Sequence, residues 1–365
     1  MEGVEVNPQF WRGKKVFVTG HTGFKGSWLS ILLQSFGADV VGFSLPPPTQ
    51  PNLFTLAGVE HGMQSIVGDV RDFDHVRKVL QQHPAEIVFH MAAQALVRHS
   101  YADPVGTYAT NVLGTVHLLS AVREVPQVKV VVVVTSDKCY QNDGKPQAFR
   151  ESDPMGGFDP YSSSKGCAEL ATAAFRSSFF NGGAKSAAAL ATARAGNVIG
   201  GGDWGEDRLI PDLMRAAFEK RVAPIRNPEA VRPWQHVLEP LSGYLLLAEK
   251  LWKDGPRFSE GWNFGPREGD AKPVRWVVER CAELWGEGFA WEADTGTHPH
   301  EAQYLRLDCT RARTKLGWQP RWDVTQALSA TLAWYKIAQR SQQDARELLL
   351  EQIGAYQAPV AAGKV

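Results

Sequence analysis

Along the first half of the chain, short runs of β-branched and apolar residues alternate with stretches whose apolar residues recur at helical spacing. Val16 to Thr19 is such a run, and Trp28, Leu29, Leu32, Leu33 and Phe36 follow it on one helical face up to Gly37, a residue type that suits a helix end. That is one strand–helix unit. The same pattern predicts strands at Val40 to Phe43, Ser65 to Gly68, Ile87 to His90, Val128 to Thr135 and Ala187 to Thr192. Helices are expected between them, at Asp74 to Gln82 and Val105 to Arg123. Strands that are apolar throughout and alternate with helices indicate a parallel sheet covered on both faces. The expected fold class is α/β, a doubly wound parallel sheet.

After about Gly200 the texture changes to "GGGDWGEDRLIP" and shorter mixed elements rich in Trp, Gly and Pro. We therefore expect a dinucleotide-binding domain over residues 1–200 and a smaller mixed α/β, mainly substrate-binding portion over 201–365, with a return of some chain to the first domain left open. "LPPPTQPN", Leu45 to Asn52, reads as a proline-rich loop.

Composition narrows the function. The chain has 365 residues, 44% of them hydrophobic, enough for a large core. Lys+Arg and Asp+Glu are equal at 39 each and no basic run stands out, so the electrostatic footprint of a nucleic-acid binder is missing. The longest apolar runs fall far short of the roughly 18 residues that cross a bilayer. Met1, Glu2, Glu5 and Asn7 do not make a secretion signal, so a cytoplasmic location is expected. Cys139, Cys167, Cys281 and Cys309 are widely spaced and read as reduced thiols. His298, His300 and Glu301 lack further clustered ligands, and no metal is expected.

"VFVTGHTGFKGSW" puts three glycines between the first strand and the first helix. A tight turn there lets backbone N–H groups and a helix N-terminus approach a pyrophosphate that side chains would keep away. Gly20, Thr22, Gly23, Phe24 and Gly26 are the candidate cradle of a Rossmann-type dinucleotide site. Asp69 and Val70, in "VGDVRD", follow a later strand; Asp69 either accepts from an adenine amino group or caps a helix. Ala92 and Ala93, in "HMAAQA", are small enough for close backbone approach. At the end of the second strand, where an acid usually holds the ribose of NAD, stand Phe43, Ser44 and Leu45, with no arginine for a 2′-phosphate. NAD is the preferred cofactor.

"DPYSSSKGCAEL" places Tyr161 and Lys165 four residues apart, on one face of a helix. A phenol is a poor base at neutral pH, but a neighbouring ammonium favours the phenolate, which can then take a proton from an alcohol. "VVVVTSDKCY" ends a buried strand on Ser136, Asp137 and Lys138. Ser136, Tyr161 and Lys165 suffice to oxidise an alcohol, so Asp137 and Lys138 are additional; the bland alternative for them is a surface pair.

Together the glycine turn, "TSDKCY" and "YSSSK" resemble the extended short-chain dehydrogenases that act on nucleotide sugars. "FWRGKKVFVTGHTGFKGSWL", "DPMGGFDPYSSSKGCAEL", "RAGNVIGGGDW" and "RPWQHV" are most similar to the dehydratase branch that uses CDP-glucose, over nearly the whole chain. The resemblance implies an NAD-dependent lyase on a small nucleotide-sugar substrate, working as a homodimer or homotetramer, with 4-epimerisation or another nucleotide hexose as the alternative. It also gives Asp137 and Lys138 a use, as acid and base of a water elimination. The dTDP-glucose branch carries Asp-Glu where this chain has Asp137-Lys138. For the substrate the resemblance points to Arg232 and Asn197 at the diphosphate, while Arg98 and Ser100 are placed near the sugar by position alone. Arg194 is expected to be structural.

Overall fold

The computed structural model describes residues 4–180, 188–296, 302–338 and 345–358. The His298, His300 and Glu301 group lies outside them. The described residues form a seven-stranded, all-parallel sheet in the order Gly261–Asn263, β6 (Ala189–Arg194), β5 (Val130–Val134), β4 (Ile87–His90), β1 (Lys15–Thr19), β2 (Asp39–Ser44), β3 (Gln64–Val67). The strand order reverses between β1 and β4, and a crevice at that switch point is where ligands bind in sheets of this kind.

Alternation along β5 shows how the sheet is buried twice. Val130, Val132 and Val134 pack into one core with the helices Phe24–Ser35 and Leu238–Phe258, whereas Val131 and Val133 pack into a second with Phe73–Gln82 and Gly114–Val122. Five consecutive valines are the expected solution for a strand with no solvent face. The expected helix at Val105 to Arg123 is observed as Pro104–Tyr108, a π-helical turn Ala109–Leu113 and Gly114–Val122. β5 stops one residue short of its expected end at Thr135, and β6 runs on past Thr192 to Arg194.

Beyond residue 200 the chain builds smaller elements, among them Val231–Pro233 paired with Ala271–Pro273 and Val222–Ile225 paired with Ala290–Ala293. It also returns to the large sheet, because Gly261–Asn263 supplies the seventh strand. The final helix, Ala345–Gln357, docks through Tyr356, whose hydroxyl donates to buried Glu239. No helix among the described residues is long and apolar enough to cross a membrane.

A buried ion pair holds the Pro160–Phe179 helix to the sheet. Glu169 accepts a fork of two bonds from Arg194 at 2.9 and 2.7 Å and further bonds from the hydroxyls of Thr135 and Thr192. Burial alone would raise the Glu169 carboxyl, but Arg194 and these donors hold it below its ordinary range. Arg194 is thus structural, as its sequence context suggested. A buried carboxylate stripped of its partner is strongly penalised, so Arg194→Met should lower stability by roughly 3–5 kcal/mol. The change in urea midpoint measures it; a loss below about 1 kcal/mol would class the pair with idle surface bridges.

Candidate active site

The glycine turn begins with Gly20 at φ +76°, where a Cβ would lie 2.7 Å from the Ala92 backbone nitrogen. Only a residue without a side chain lets β1 and the chain after β4 come this close. Thr19 locks the contact, its hydroxyl accepting from the Met91 and Ala92 N–H groups at 3.1 Å each. Gly23 is the N-cap of the Phe24–Ser35 helix and offers no side-chain cap, while a Cβ on Gly26 would sit 2.1 Å from the Gly20 carbonyl oxygen. Turn and helix N-terminus therefore form a cradle of bare backbone. Thr22 reaches sideways, donating to the Leu45 carbonyl at 2.9 Å and pairing with Ser44 at 2.8 Å, so a neutral hydroxyl pair stands at the end of β2.

The other cofactor candidates flank this cradle unevenly. Val70 is buried, its methyls filling the space beside Gly114. Asp69 is gripped by the Arg71 guanidinium at 2.6 Å, which holds its carboxyl below the ordinary range. It does not cap the next helix; that role falls to Asp72, which accepts from the His75 N–H. Ala93 lies half-buried next to Ala92.

Asp159 caps the Pro160–Phe179 helix and accepts from the Ser162 N–H at 2.9 Å, fixing where Tyr161 and Lys165 emerge. The Tyr161 N–H donates to Ser100 at 3.1 Å. Ser100 is fully buried with its own hydroxyl given to Val97, so it anchors the helix start. Gly166 lets the helix press against the chain after β5, for a Cβ there would lie 2.7 Å from the Gly156 oxygen and 3.1 Å from that of Cys139.

These constraints bring Ser136, Asp137, Lys138, Tyr161 and Lys165 together. Ser136 caps the short turn Asp137–Cys139: its hydroxyl accepts from the Lys138 N–H at 3.2 Å and donates to Asp137 Oδ1 at 3.0 Å. Asp137 is buried, and its Oδ2 has no hydrogen-bond partner among the described residues. Room for it exists because residue 196 is glycine; a Cβ there would lie 1.6 Å from Oδ2. Burial raises the Asp137 carboxyl, opposed by Lys138, the Ser136 hydrogen bond, Arg232 and Lys25. Tyr161 is pushed up to about 12 by burial, with Ser136 and the charge of Arg208 pulling it back. Lys165, donating to the Val134 carbonyl at 3.4 Å, is brought down to about 8 by burial and by Lys25.

Arg232 is buried, donates to the Val231 carbonyl at 3.0 Å and exerts its charge on Asp137. Asn197 follows Gly196 at φ +44°, a left-handed conformation that asparagine tolerates better than most residues. Arg98 is half-exposed in an ion pair with Asp207 at 3.0 Å. Three residues join the site that the sequence patterns did not single out. Arg208 is held by Asp203 and acts on Tyr161; Lys25 acts on Asp137 and Lys165; Tyr244 lies with Lys25 Nζ 5.9 Å from its ring centroid. "FKG" and "EDRLIP" carry the first two in plain view, but only the fold shows that they converge.

Known proteins match this architecture over most of its length. The family model for GDP-mannose 4,6 dehydratase matches residues 17–331. The chain is 54% identical to a CDP-glucose 4,6-dehydratase of Salmonella typhimurium, over 91% of this chain and 93% of that protein. It is 27% identical to a dTDP-glucose 4,6-dehydratase of Xanthomonas campestris, over 93% of this chain and 98% of that one. Among solved structures, a dTDP-glucose 4,6-dehydratase from Bacillus anthracis in complex with NAD superimposes with a TM-score of 0.74 at 24% identity, covering 90% of this chain and 98% of that one. MoeE5 in complex with UDP-glucose and NAD does so with 0.74 at 26% identity, covering 89% and 99%. A backbone cradle at the switch point, a tyrosine–lysine helix and an acid–amine strand end, matched over this span, have one explanation: the chain belongs to the GDP-mannose 4,6-dehydratase family of nucleotide-sugar dehydratases within the extended short-chain dehydrogenases.

Proposed function

We propose that the protein is a hydro-lyase that converts CDP-glucose to CDP-4-keto-6-deoxyglucose with NAD as its cofactor. The 54%-identical relative bears the name of that activity. One observation in the site carries the reading: a buried carboxyl with one oxygen free of any partner among the described residues stands beside the tyrosine that deprotonates an alcohol. A 4-epimerase or a simple dehydrogenase has no use for that acid.

The cradle of Gly20, Gly23, Phe24 and Gly26, with Ala92 pressed against it, fits a dinucleotide diphosphate, because Gly20 and Gly26 have no room for a Cβ against the neighbouring backbone and the helix N-terminus has no side-chain cap. Bound there, NAD would supply the hydride chemistry, as acceptor for C4 of the hexose and donor for C6. The chain's own residues handle the protons. Tyr161, with Ser136 acting on its phenol and Lys165 one helical turn on, takes the proton of the C4 hydroxyl. A C4 ketone acidifies C5, from which the Lys138 amine removes the proton. Asp137 then protonates the departing C6 hydroxyl from Oδ2, the oxygen without a protein partner. Arg232 and Asn197 are assigned to the substrate diphosphate.

Removing the phenol removes the C4 base, so Tyr161→Phe should bind CDP with unchanged affinity while turnover falls by roughly 10²–10⁴-fold. Equilibrium titration with CDP and a product assay by mass check it; near-normal turnover excludes Tyr161 as the base. Asp137→Asn and Lys138→Met should still oxidise C4 but stall before elimination. Quenched single turnovers should then contain a 4-keto hexose that keeps its C6 oxygen. Native rates of 4-keto-6-deoxy product in both variants would reduce the strand end to a structural role.

We further take the protein to be a cytoplasmic homodimer or homotetramer. Its four cysteines are unpaired, which suits a reducing compartment. Val105, Leu113 and Leu170 are 78, 52 and 60% exposed on neighbouring helices, an apolar face of the kind that self-association covers. The Leu113→Asp, Leu170→Asp double variant should sediment as a monomer where the native protein does not; a native monomer sinks the assignment.

A further inference from the structure

We propose that Tyr140 is a positioning residue for the eliminating half of the site, its phenol tying the turn that carries Asp137 and Lys138 to the seventh strand and to Arg194. The inference rests on the dehydratase reading and extends it, because it names what holds the eliminating acid and base in place.

The turn Asp137–Cys139 is three residues long and has few bonds of its own. On its strand side the Asp137 N–H donates to the Ala195 carbonyl at 3.4 Å and the Lys138 N–H to Ser136 at 3.2 Å. On its far side the Cys139 carbonyl accepts from the Gly156 N–H at 2.8 Å, and the chain then runs into Tyr140, which is buried. The Tyr140 phenol donates to Asn263 Oδ1 at 2.6 Å and accepts from an Arg194 N–H at 2.7 Å. Its ring lies flat on Phe149, with centroids 5.0 Å apart and planes 6° from parallel.

Both partners of the phenol are themselves fixed. Asn263, in the seventh strand, gives its side-chain amide to the carbonyls of Phe149 and Asp308 at 2.9 and 3.2 Å, and its backbone N–H to the Glu151 carboxylate at 3.0 Å. Arg194, at the end of β6, gives its remaining nitrogens to Glu169. A tyrosine that only fills a core needs one partner for its hydroxyl. This hydroxyl instead joins three chain segments: the turn after β5, the end of β6 and the seventh strand.

Arg194 makes the join selective. Part of its guanidinium grips Glu169, on the helix of Tyr161 and Lys165, and another nitrogen grips Tyr140, just past Asp137 and Lys138. The oxidising and eliminating groups are thus referred to one guanidinium through separate bonds, which can be cut separately. Tyr140→Phe removes the phenol oxygen while keeping the ring on Phe149 and the bonds between Arg194 and Glu169. It leaves Asn263 Oδ1 and one guanidinium N–H short of a partner in the core, a strain that movement of the short turn relieves. Such movement displaces Lys138 and Asp137 from C5 and C6 of the sugar and leaves Tyr161 in place.

In single turnovers with enzyme and NAD in excess of CDP-glucose, Tyr140→Phe should therefore consume CDP-glucose at an initial rate within about twofold of native. The 4-keto-6-deoxy sugar should form roughly 10–100-fold more slowly, the scale of a small misplacement of reacting groups, and a 4-keto hexose that keeps its C6 oxygen should build up. Rapid quench with mass detection reads all three species. Asn263→Leu cuts the same bond from its other end and should give the same split, with the double variant adding nothing to it. Equal slowing of oxidation and elimination in Tyr140→Phe would overturn the inference, as would native rates of both in a Tyr140→Phe protein whose urea midpoint has fallen; either leaves Tyr140 a core residue. A native enzyme that forms no 4-keto-6-deoxy sugar sinks the dehydratase reading itself, a result distinct from both.

Discussion

One constraint organises the carboxyl end of the sheet: a carboxyl group has to be buried there with one of its oxygens left open. Desolvating an acid without a full set of donors is costly, and the usual outcome is a proton retained on it. Asp137 meets that condition because its surroundings are fixed on every side. Ser136 satisfies Oδ1, Gly196 leaves the volume for Oδ2, and Gly166 lets the Tyr161 helix close over the turn. The buried Glu169–Arg194 pair ties that helix to the ends of β5 and β6, since Thr135 and Thr192 donate to the same carboxylate. Oxidation and elimination are thus served by a few residues whose spacing is set by backbone contacts and not by flexible side chains.

The central strands of the sheet were readable because they are buried on both faces. Val130 to Val134 is apolar at every position, which no amphipathic helix or solvent-facing strand would be, and the boundaries expected from sequence differ from those observed by one or two residues. The seventh strand was harder. Gly261–Asn263 is three residues long and pairs with β6 from far along the chain, so neither periodicity nor local propensity marks it. Short strands of this kind are chosen by tertiary pairing.

In the site, residues joined by local spacing were legible and residues joined only by tertiary contact were not. Tyr161 and Lys165 share a helical face, and Ser136 to Lys138 follow a strand, so each group can be proposed from its own segment. Ser100 was expected near the sugar from its place after β4; its hydroxyl receives the Tyr161 N–H, and nothing in "VRHSY" reveals that partner. Arg208 and Tyr244 come from the chain beyond residue 200, and their approach to the tyrosine and the acid depends on how that portion folds back.

The same fold-back sets the charge of the site. Lys25, Lys165, Arg208 and Arg232 surround Asp137 and Tyr161, with Asp203 the acid that pairs with Arg208. Burial brings Lys25 and Lys165 down to about 8 each, which is what a crowded, poorly hydrated set of ammonium groups does to limit its own repulsion. Arg208 acts on Tyr161 in the direction that favours the phenolate, drawing the phenol back from where burial puts it, so the strength of the base depends on a residue that only the fold-back brings to it.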